Sequence, residues 1–287
     1  MSIDVIGGVS YERTELSGCL LCGKIHPSRT IPVKFGMTAM IAECPECRIA
    51  YQTPRPALEA SLAYMEMRWR SHDDYVANSS QQRARAQKQL ALVNGIVARG
   101  SRLLDFGAGT GAFVRVACES GWETVGVERS QVAVERARQE NGVELHSELP
   151  TSEATLDVIT LWDVIEHLRD PIRVVESLRA HLRPGGWMIF ETGNWESWNR
   201  LAAADAWALY LFDHQYYFSP DSLEKVLDLA GLTNFKLLPA GQCPSPSPPQ
   251  LGGDLNLTKH WLAYQRGLML WPHHSAIDIM VAAARNP

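Results

Sequence analysis

Four of the six cysteines stand in two tight pairs, Cys19-Leu-Leu-Cys22 and Cys44-Pro-Glu-Cys47, while Cys118 and Cys243 are isolated. Thiolates at this spacing are soft metal ligands. Two C-x-x-C turns set four sulfurs around one tetrahedral ion, and such a closed sphere leaves no position for a substrate. A structural zinc on Cys19, Cys22, Cys44 and Cys47 is therefore expected. The alternative use of paired cysteines, disulfides, belongs to exported chains. The N-terminus, MSIDVIGGVSYERTE, lacks the basic-then-apolar layout of an export signal, so a cytoplasmic setting is expected.

The second chemical signal is Leu103-Leu-Asp-Phe-Gly-Ala-Gly-Thr-Gly111. Glycines at this density let a backbone turn tightly and approach a ligand without side-chain interference. Glu128 ends the next apolar run, where a carboxylate can accept from both ribose hydroxyls. With Ala112 as a third small residue, the loop also fits a dinucleotide fingerprint. Three details favour S-adenosylmethionine instead. Asp105, two residues before Gly107, can face a cationic amino group. Gly111 tightens the loop and leaves less room for a pyrophosphate. The third unit carries Asp157-Val-Ile-Thr-Leu-Trp-Asp-Val-Ile-Glu-His-Leu168, which has no role in dinucleotide binding.

These residues need elements to hold them. Short apolar runs at Ser101–Phe106, Thr124–Val127, Leu156–Leu161 and Trp187–Glu191 read as strands. Helical patterns at Phe113–Ser120, Gln131–Glu140 and Pro171–Leu182 lie between them. Strands alternating with helices of this length imply parallel βαβ units. Three domains are expected. Residues 1–56 form the cysteine module and end in Gln52-Thr-Pro-Arg-Pro56. Residues 57–98 are helical. Residues 99–287 form the α/β domain, interrupted at 194–219 by a Trp- and Tyr-rich insertion. Asn234–Leu238 and Ile277–Ala284 are candidate closing strands, and Pro-rich Cys243–Gln250 is a loop.

Leu103–Gly111, Val125-Gly-Val-Glu128, Asp157–Leu168 and Leu182-Arg-Pro-Gly-Gly186 together resemble the class I S-adenosylmethionine-dependent methyltransferases. The resemblance runs from about Arg99 to the C-terminus. It implies a Rossmann-like sheet of seven strands, the last antiparallel. It also implies cofactor contacts from Asp105, Gly107, Ala108, Gly109, Glu128, Arg129, Trp162 and Asp163. Tyr75 and Arg83 fall where that family's N-terminal helices cover the methionine carboxylate. The front end, Cys44 to Pro56 followed by a helix and Asp74-Tyr75, resembles a bacterial subgroup with an N-terminal zinc ribbon that acts on sugars, glycans or small metabolites. It departs from the usual knuckle at Arg48, where glycine is common.

Methyl transfer to a hydroxyl needs a base, and histidine suits neutral pH. His214, in the aromatic insertion, is the first expectation for that role; its Trp207, His214, Phe218, Ser219 pattern matches the subgroup. His167, behind a cofactor-contacting strand, is the second. Asp163, Glu166 and His167 resemble a carboxylate–histidine set associated with a divalent cation in quinone O-methyltransferases, and they can equally serve only to shape the cleft. Trp195, Trp198, Trp207, Tyr210, Tyr216 and Tyr217 are either core or a platform on which a sugar or aromatic acceptor stacks. The run Arg83-Ala-Arg-Ala-Gln-Lys88 reads as a solvated helix face. Trp261–Trp271 can line the acceptor mouth or a homodimer contact.

The charge balance removes other partners. Lys and Arg number 27 against 32 Asp and Glu, for a net charge of −5 and a pI near 6.0. Residues 1–56 hold six basic and five acidic side chains with no basic stripe. Nucleic acid, including RNA, is disfavoured. No apolar run approaches the roughly 20 residues that span a bilayer. The expected function is S-adenosylmethionine-dependent O-methylation of a sugar, glycan or small-metabolite hydroxyl. The competing class is a zinc-stapled scaffold without turnover, and an RNA methyltransferase stands behind it.

Overall fold

The computed structural model describes residues 3–13, 15–71, 79–98, 101–149, 155–239 and 278–287. Tyr75, Cys243–Gln250, Trp261–Trp271 and the His273–His274 pair lie outside the described residues.

The central sheet contains β6 (Arg102–Phe106), β7 (Glu123–Val127), β8 (Leu156–Trp162), β9 (Leu182–Gly193), β11 (Thr233–Leu238) and β12 (Ile279–Arg285), in the order β11-β12-β9-β8-β6-β7. The strands from β9 to β7 are parallel, while β12 runs antiparallel to both β9 and β11. This is the expected closing pair. The sheet has six strands among the described residues, not seven. Beyond β7 the chain makes a single parallel bridge, Val127 to His146. The segment reaching it follows Gly142, at φ 62°, and among the described residues it pairs with β7 at that bridge alone.

Leu104, Ile159, Leu161, Met188 and Phe190 are buried in one core with Val175 and Leu178 of α5 (Pro171–Arg179) and Leu223, Val226 and Leu227 of α7 (Pro220–Leu229). Leu103, Val158 and Ile189 pack on the other face with Ala86, Leu90 and Val93 of α2 (Ser79–Asn94) and Phe113, Val116 and Ala117 of α3 (Ala112–Glu119). Strands buried on both faces explain the continuous apolar runs. Helix starts follow the sequence. The Asp170 side chain accepts from Arg173 N–H ahead of Pro171, and Ser219 and Ser222 close a capping box ahead of α7.

The N-terminal region forms a hairpin, β1 (Ile3–Ile6) with β2 (Val9–Glu12), and a second sheet. Strands β3 (Ser28–Pro32), β4 (Thr38–Cys44) and β5 (Ile49–Gln52) are joined there by β10 (Tyr216–Phe218) from the aromatic insertion. Tyr216 pairs with Tyr51 and Tyr217 with Ala50. β10 also reaches the large sheet, through the Asn194–Phe218 bridge and a bond from Trp195 N–H to Phe218 O at 2.8 Å. One three-residue strand thus ties the two sheets together. Trp195, Trp207, Tyr210 and Tyr217, each no more than 3% exposed, pack on Ile31, Ala39, Ile41 and Ala50. Tyr216 is 5% exposed. These rings are core, and their faces are not available for stacking an acceptor.

Candidate functional site

Cys19, Cys22, Cys44 and Cys47 bring their sulfurs within 4.8 Å of one another. The Cys22 and Cys44 sulfurs are 3.8 Å apart, which is the edge of a tetrahedron built on bonds of about 2.3 Å. Both knuckles turn through a left-handed residue after the second cysteine, Gly23 at φ 72° and Arg48 at φ 56°. Arg48 therefore takes up the glycine conformation, and its guanidinium pairs with Glu196 and Asp221. Burial, and then the neighbouring thiols, pushes the Cys19 thiol up to about 11. Four thiols this close favour ionising around a cation, and the donor set suits zinc.

The glycine loop joins β6 to α3. Gly107, Gly109 and Gly111 all have positive φ, so the turn needs glycine at each. A Cβ on Gly107 would lie 2.5 Å from Val164 Cγ2, and one on Gly109 would lie 3.0 Å from the ring of Trp69 in α1 (Leu58–Ser71). Gly107 and Ala108 donate their N–H groups to Val127 O at 2.8 and 3.0 Å. Gly109 N–H donates to Glu128 Oε2 at 3.0 Å, and Ser130 N–H to Glu128 Oε1 at 2.8 Å. Asp105, 2% exposed, accepts from the Thr160 hydroxyl at 2.7 Å. Burial, with the Glu128 charge adding to it, pushes Asp105 up to about 7. Trp162 stands edge-on to Phe113 at 5.2 Å, with its indole N–H buried and unpaired among the described residues. Arg129 is exposed.

This cradle fits S-adenosylmethionine. It offers a backbone with no Cβ to fill it, two buried carboxylates whose ordinary charge burial opposes, and an orphaned indole donor. A carboxylate pushed up by burial is one that a cationic ligand would stabilise.

Helix α2 differs from its sequence reading. Arg83 points outward to Glu119 at 2.6 Å, whereas Arg85 enters the cleft and pairs with Asp163 and Glu191. Two residues along a helix turn it about 200°, so one of the pair faces solvent when the other faces the sheet. Gln89 supports Glu191 at 3.2 Å. The run from Arg83 to Lys88 is thus not wholly a solvated face. Asp163 is engaged by this arginine rather than grouped with Glu166 and His167.

On the far side of the cleft, Glu166, His167 and His214 bring ligand atoms within 4.8 Å of one another. The two imidazoles stand edge-to-face, centroids 4.7 Å apart. His214 is 6% exposed, and burial, with His167 nearby, pushes it down to about 3. The His167 side chain is 30% exposed, and its Nδ1 lies 3.3 Å from Asp213 Oδ2 and 3.2 Å from Asp213 O. Burial, then the Asp163 charge, pushes Glu166 well above the usual carboxylate range. Asp213 and Arg85 escaped the sequence reading. Asp213 adjoins His214 in the chain, a signal that was visible, while nothing local distinguishes Arg85 from Arg83.

Residues 79–237 match a family described as a methyltransferase domain, more than half of the chain. The chain belongs to this methyltransferase family. It is 32% identical over 106 residues to the ubiquinone biosynthesis O-methyltransferase of Bordetella avium (strain 197N), covering 33% of this chain and 44% of that one. It is 27% identical over 184 residues to the enzyme of that name from Vibrio parahaemolyticus, covering 58% and 78%. The methyltransferase chain thus spans less than half the length of the first relative. Among solved structures, an S-adenosylmethionine-dependent methyltransferase from Thermotoga maritima, described as a possible histamine N-methyltransferase, superposes with a TM-score of 0.53. It is 19% identical and covers 77% of this chain and 98% of its own. One from Archaeoglobus fulgidus gives 0.51 at 15% identity, covering 75% and 97%. These two share the fold. Among the described residues no helix is long and apolar enough to cross a membrane.

Proposed function

We propose that the chain transfers a methyl group from S-adenosylmethionine to a hydroxyl of a small molecule. The observation that carries this is the position of His167 and Asp213 at the carboxyl edge of the sheet whose first turn is the glycine loop closed by Glu128. Open α/β sheets bind ligands at that edge. When bound, the cofactor supplies a methyl group already activated on a sulfonium. Asp105 would face its amino group and Glu128 its ribose, with Gly107, Ala108 and Gly109 against its backbone-facing side. Trp162, Asp163 and Arg129 would complete the cleft, with Arg85 in place of Arg83 turned toward its carboxylate.

The base in this proposal is His167. A ring held with Nδ1–H toward Asp213 leaves Nε2 free to take a proton from a hydroxyl. It is partly open to solvent, whereas His214 is enclosed and pushed far down. His214 packs against the base edge-to-face, ring centroids 4.7 Å apart. A phenolic hydroxyl, with a pKa near 10, is a better match to an imidazole base than a sugar alcohol. The relatives' names, O-methyltransferases of ubiquinone biosynthesis, support a phenolic acceptor, and a sugar or glycan hydroxyl is the alternative within the same chemistry. The alternative use of Glu166, His167 and His214 is as ligands of a divalent transition-metal ion, which would occupy His167 and exclude it as the base. We further assign residues 1–56 to a zinc ribbon, 57–98 to a helical lid and 99–287 to the catalytic domain.

The test is transfer of label from methyl-labelled cofactor to a panel of catechols, phenols and sugars. Acceptor-dependent label in any of these supports the proposal. Failure to bind S-adenosylhomocysteine overturns it. Binding without transfer to any hydroxyl favours the scaffold class.

A further inference from the structure

Gln52, at the end of β5 in the cysteine module, is 1% exposed. Its side-chain amide donates to Phe212 O at 2.7 Å and to His214 O at 2.6 Å. These two carbonyls flank Asp213. The main-chain N–H of Gln52 donates to Gln215 O at 3.0 Å, and Gln215 N–H donates to Glu166 O at 2.7 Å. A single residue of the N-terminal module therefore grips residues 212–215 at three points. The gripped segment leads on to the residue before His167.

The orientation of that amide is fixed by charge. Arg13, 3% exposed, donates from Nη1 to Gln52 Oε1 at 3.1 Å, and its Nε donates to both Asp4 oxygens at 3.0 and 2.8 Å. Its Nη2 donates to Thr38 O at 2.6 Å, and its guanidinium lies 5.2 Å from the Phe212 ring centre. A guanidinium only donates, so the oxygen of Gln52 must face it. The NH₂ must then face the two carbonyls, which only accept. No other rotation of the amide satisfies all three partners. Each of these groups is buried, and leaving one unpaired costs more than a bond gains.

We propose that Gln52 is a positioning residue for the His167–Asp213 pair, oriented in turn by the Arg13–Asp4 ion pair, so that the cysteine module is a structural part of the acceptor site. The effect on turnover rests on the O-methyltransferase proposal above; the positioning itself does not.

The experiment uses the full chain, with ¹⁵N-histidine labelling to read the tautomer of His167, assigned by loss of its signals in His167→Gln. The wild type should show His167 protonated at Nδ1. Gln52→Glu keeps an acceptor for Arg13 but offers no donor to the carbonyls of Phe212 and His214. It should mix the two tautomers and speed amide exchange at 212–215 by about tenfold or more. Affinity for S-adenosylhomocysteine should stay within about twofold. Gln52→Met, which removes both arms without adding charge, should do the same and stands in if Gln52→Glu does not fold. With a phenol that turns over, kcat should fall while the KM for S-adenosylmethionine stays put. A wild-type His167 tautomer in the variants overturns the proposal. So does an equal rise in exchange across the whole N-terminal module, which would make Gln52 a brace and nothing more. If no phenol or sugar turns over at all, the hydroxyl-transfer proposal fails while the tautomer still decides the role of Gln52.

Discussion

The amide of Gly109 donates to Glu128 at 3.0 Å, tying the turn after β6 to the end of β7. Glu128 also takes the Ser130 amide on its other oxygen. The Arg129 amide also favours the charged form, so of about four acceptor positions at least one remains for a ribose hydroxyl. Glu128→Ala should weaken S-adenosylhomocysteine binding about 10- to 100-fold, the scale of bonds to a charged group at about 1.5–3 kcal/mol. Titration calorimetry reads it directly. Unchanged affinity would remove Glu128 from the cofactor site.

Asp105 gives a pH dependence with a definite sign. Its folded pKa is pushed up to about 7, chiefly by burial, so the carboxyl is largely protonated near pH 6. A cationic amino group needs the carboxylate, so binding expels the proton. Affinity for S-adenosylhomocysteine should rise as pH passes from about 6 to about 8 and then level, with proton release visible as a dependence of binding heat on the buffer. The same shift works against the empty fold. From about pH 4 to about pH 7 the folded state holds a proton that the unfolded chain releases, so this group's contribution to stability is lost as pH rises through that window. Asp105→Asn should flatten the binding profile; a flat profile in the wild type would contradict the assignment.

The cysteine module should carry about one zinc per chain, and Cys44→Ser should lose it together with the fold of residues 15–52. Structural zinc contributes on the order of 10 kcal/mol in isolated fingers. Arg48 should matter far less. Its left-handed backbone costs about 1–2 kcal/mol, while its two ion pairs, on a side chain 52% exposed, give back about 0–1 kcal/mol each. Arg48→Gly should therefore keep its zinc and shift the unfolding midpoint by only a few degrees. Metal analysis and a thermal melt check both, and a zinc-free wild type would refute the site.

The glycine turn and the cysteine cluster were legible because local geometry demands those residue types: a left-handed turn wants glycine, and a tetrathiolate wants two knuckles. The parallel strands were legible because burial on both faces leaves apolar runs. What the chain hides is phase and long-range pairing. Arg83 and Arg85 lie in the same polar run, and only the packing of α2 against the sheet decides which enters the cleft. The three residues of β10, Tyr-Tyr-Phe, have strand propensity but are too short a run to announce a strand, and their partner β5 lies far earlier in the chain. For the same reason the sequence leaves the aromatic rings of the insertion open as an acceptor platform, when the module they pack against buries them. The proposed order of the histidines reverses on burial, which sequence position does not report: His214 is 6% exposed, while the His167 side chain is 30% exposed.

That reversal is the sharpest test of the acceptor site. A general base contributes about 10²–10⁴-fold in rate, so His167→Ala should lower turnover by that order and leave cofactor affinity nearly unchanged. Asp213→Asn keeps the shape but replaces the carboxylate facing Nδ1, 3.3 Å away. It should show a smaller loss in kcat, because the ring keeps the Asp213 carbonyl as an alternative acceptor at 3.2 Å. His214→Ala removes a buried ring 4.7 Å from the base; its loss should be smaller than that of His167→Ala and accompanied by a lower melting temperature, since it leaves a cavity. Turnover with a phenolic acceptor, cofactor affinity by calorimetry and a melt on each variant separate these effects. If His214→Ala alone shows the selective loss, the base is His214 and its burial must be relieved when acceptor binds. If neither histidine matters, the acceptor arrives ionised, and holding it in line with the methyl group carries the rate.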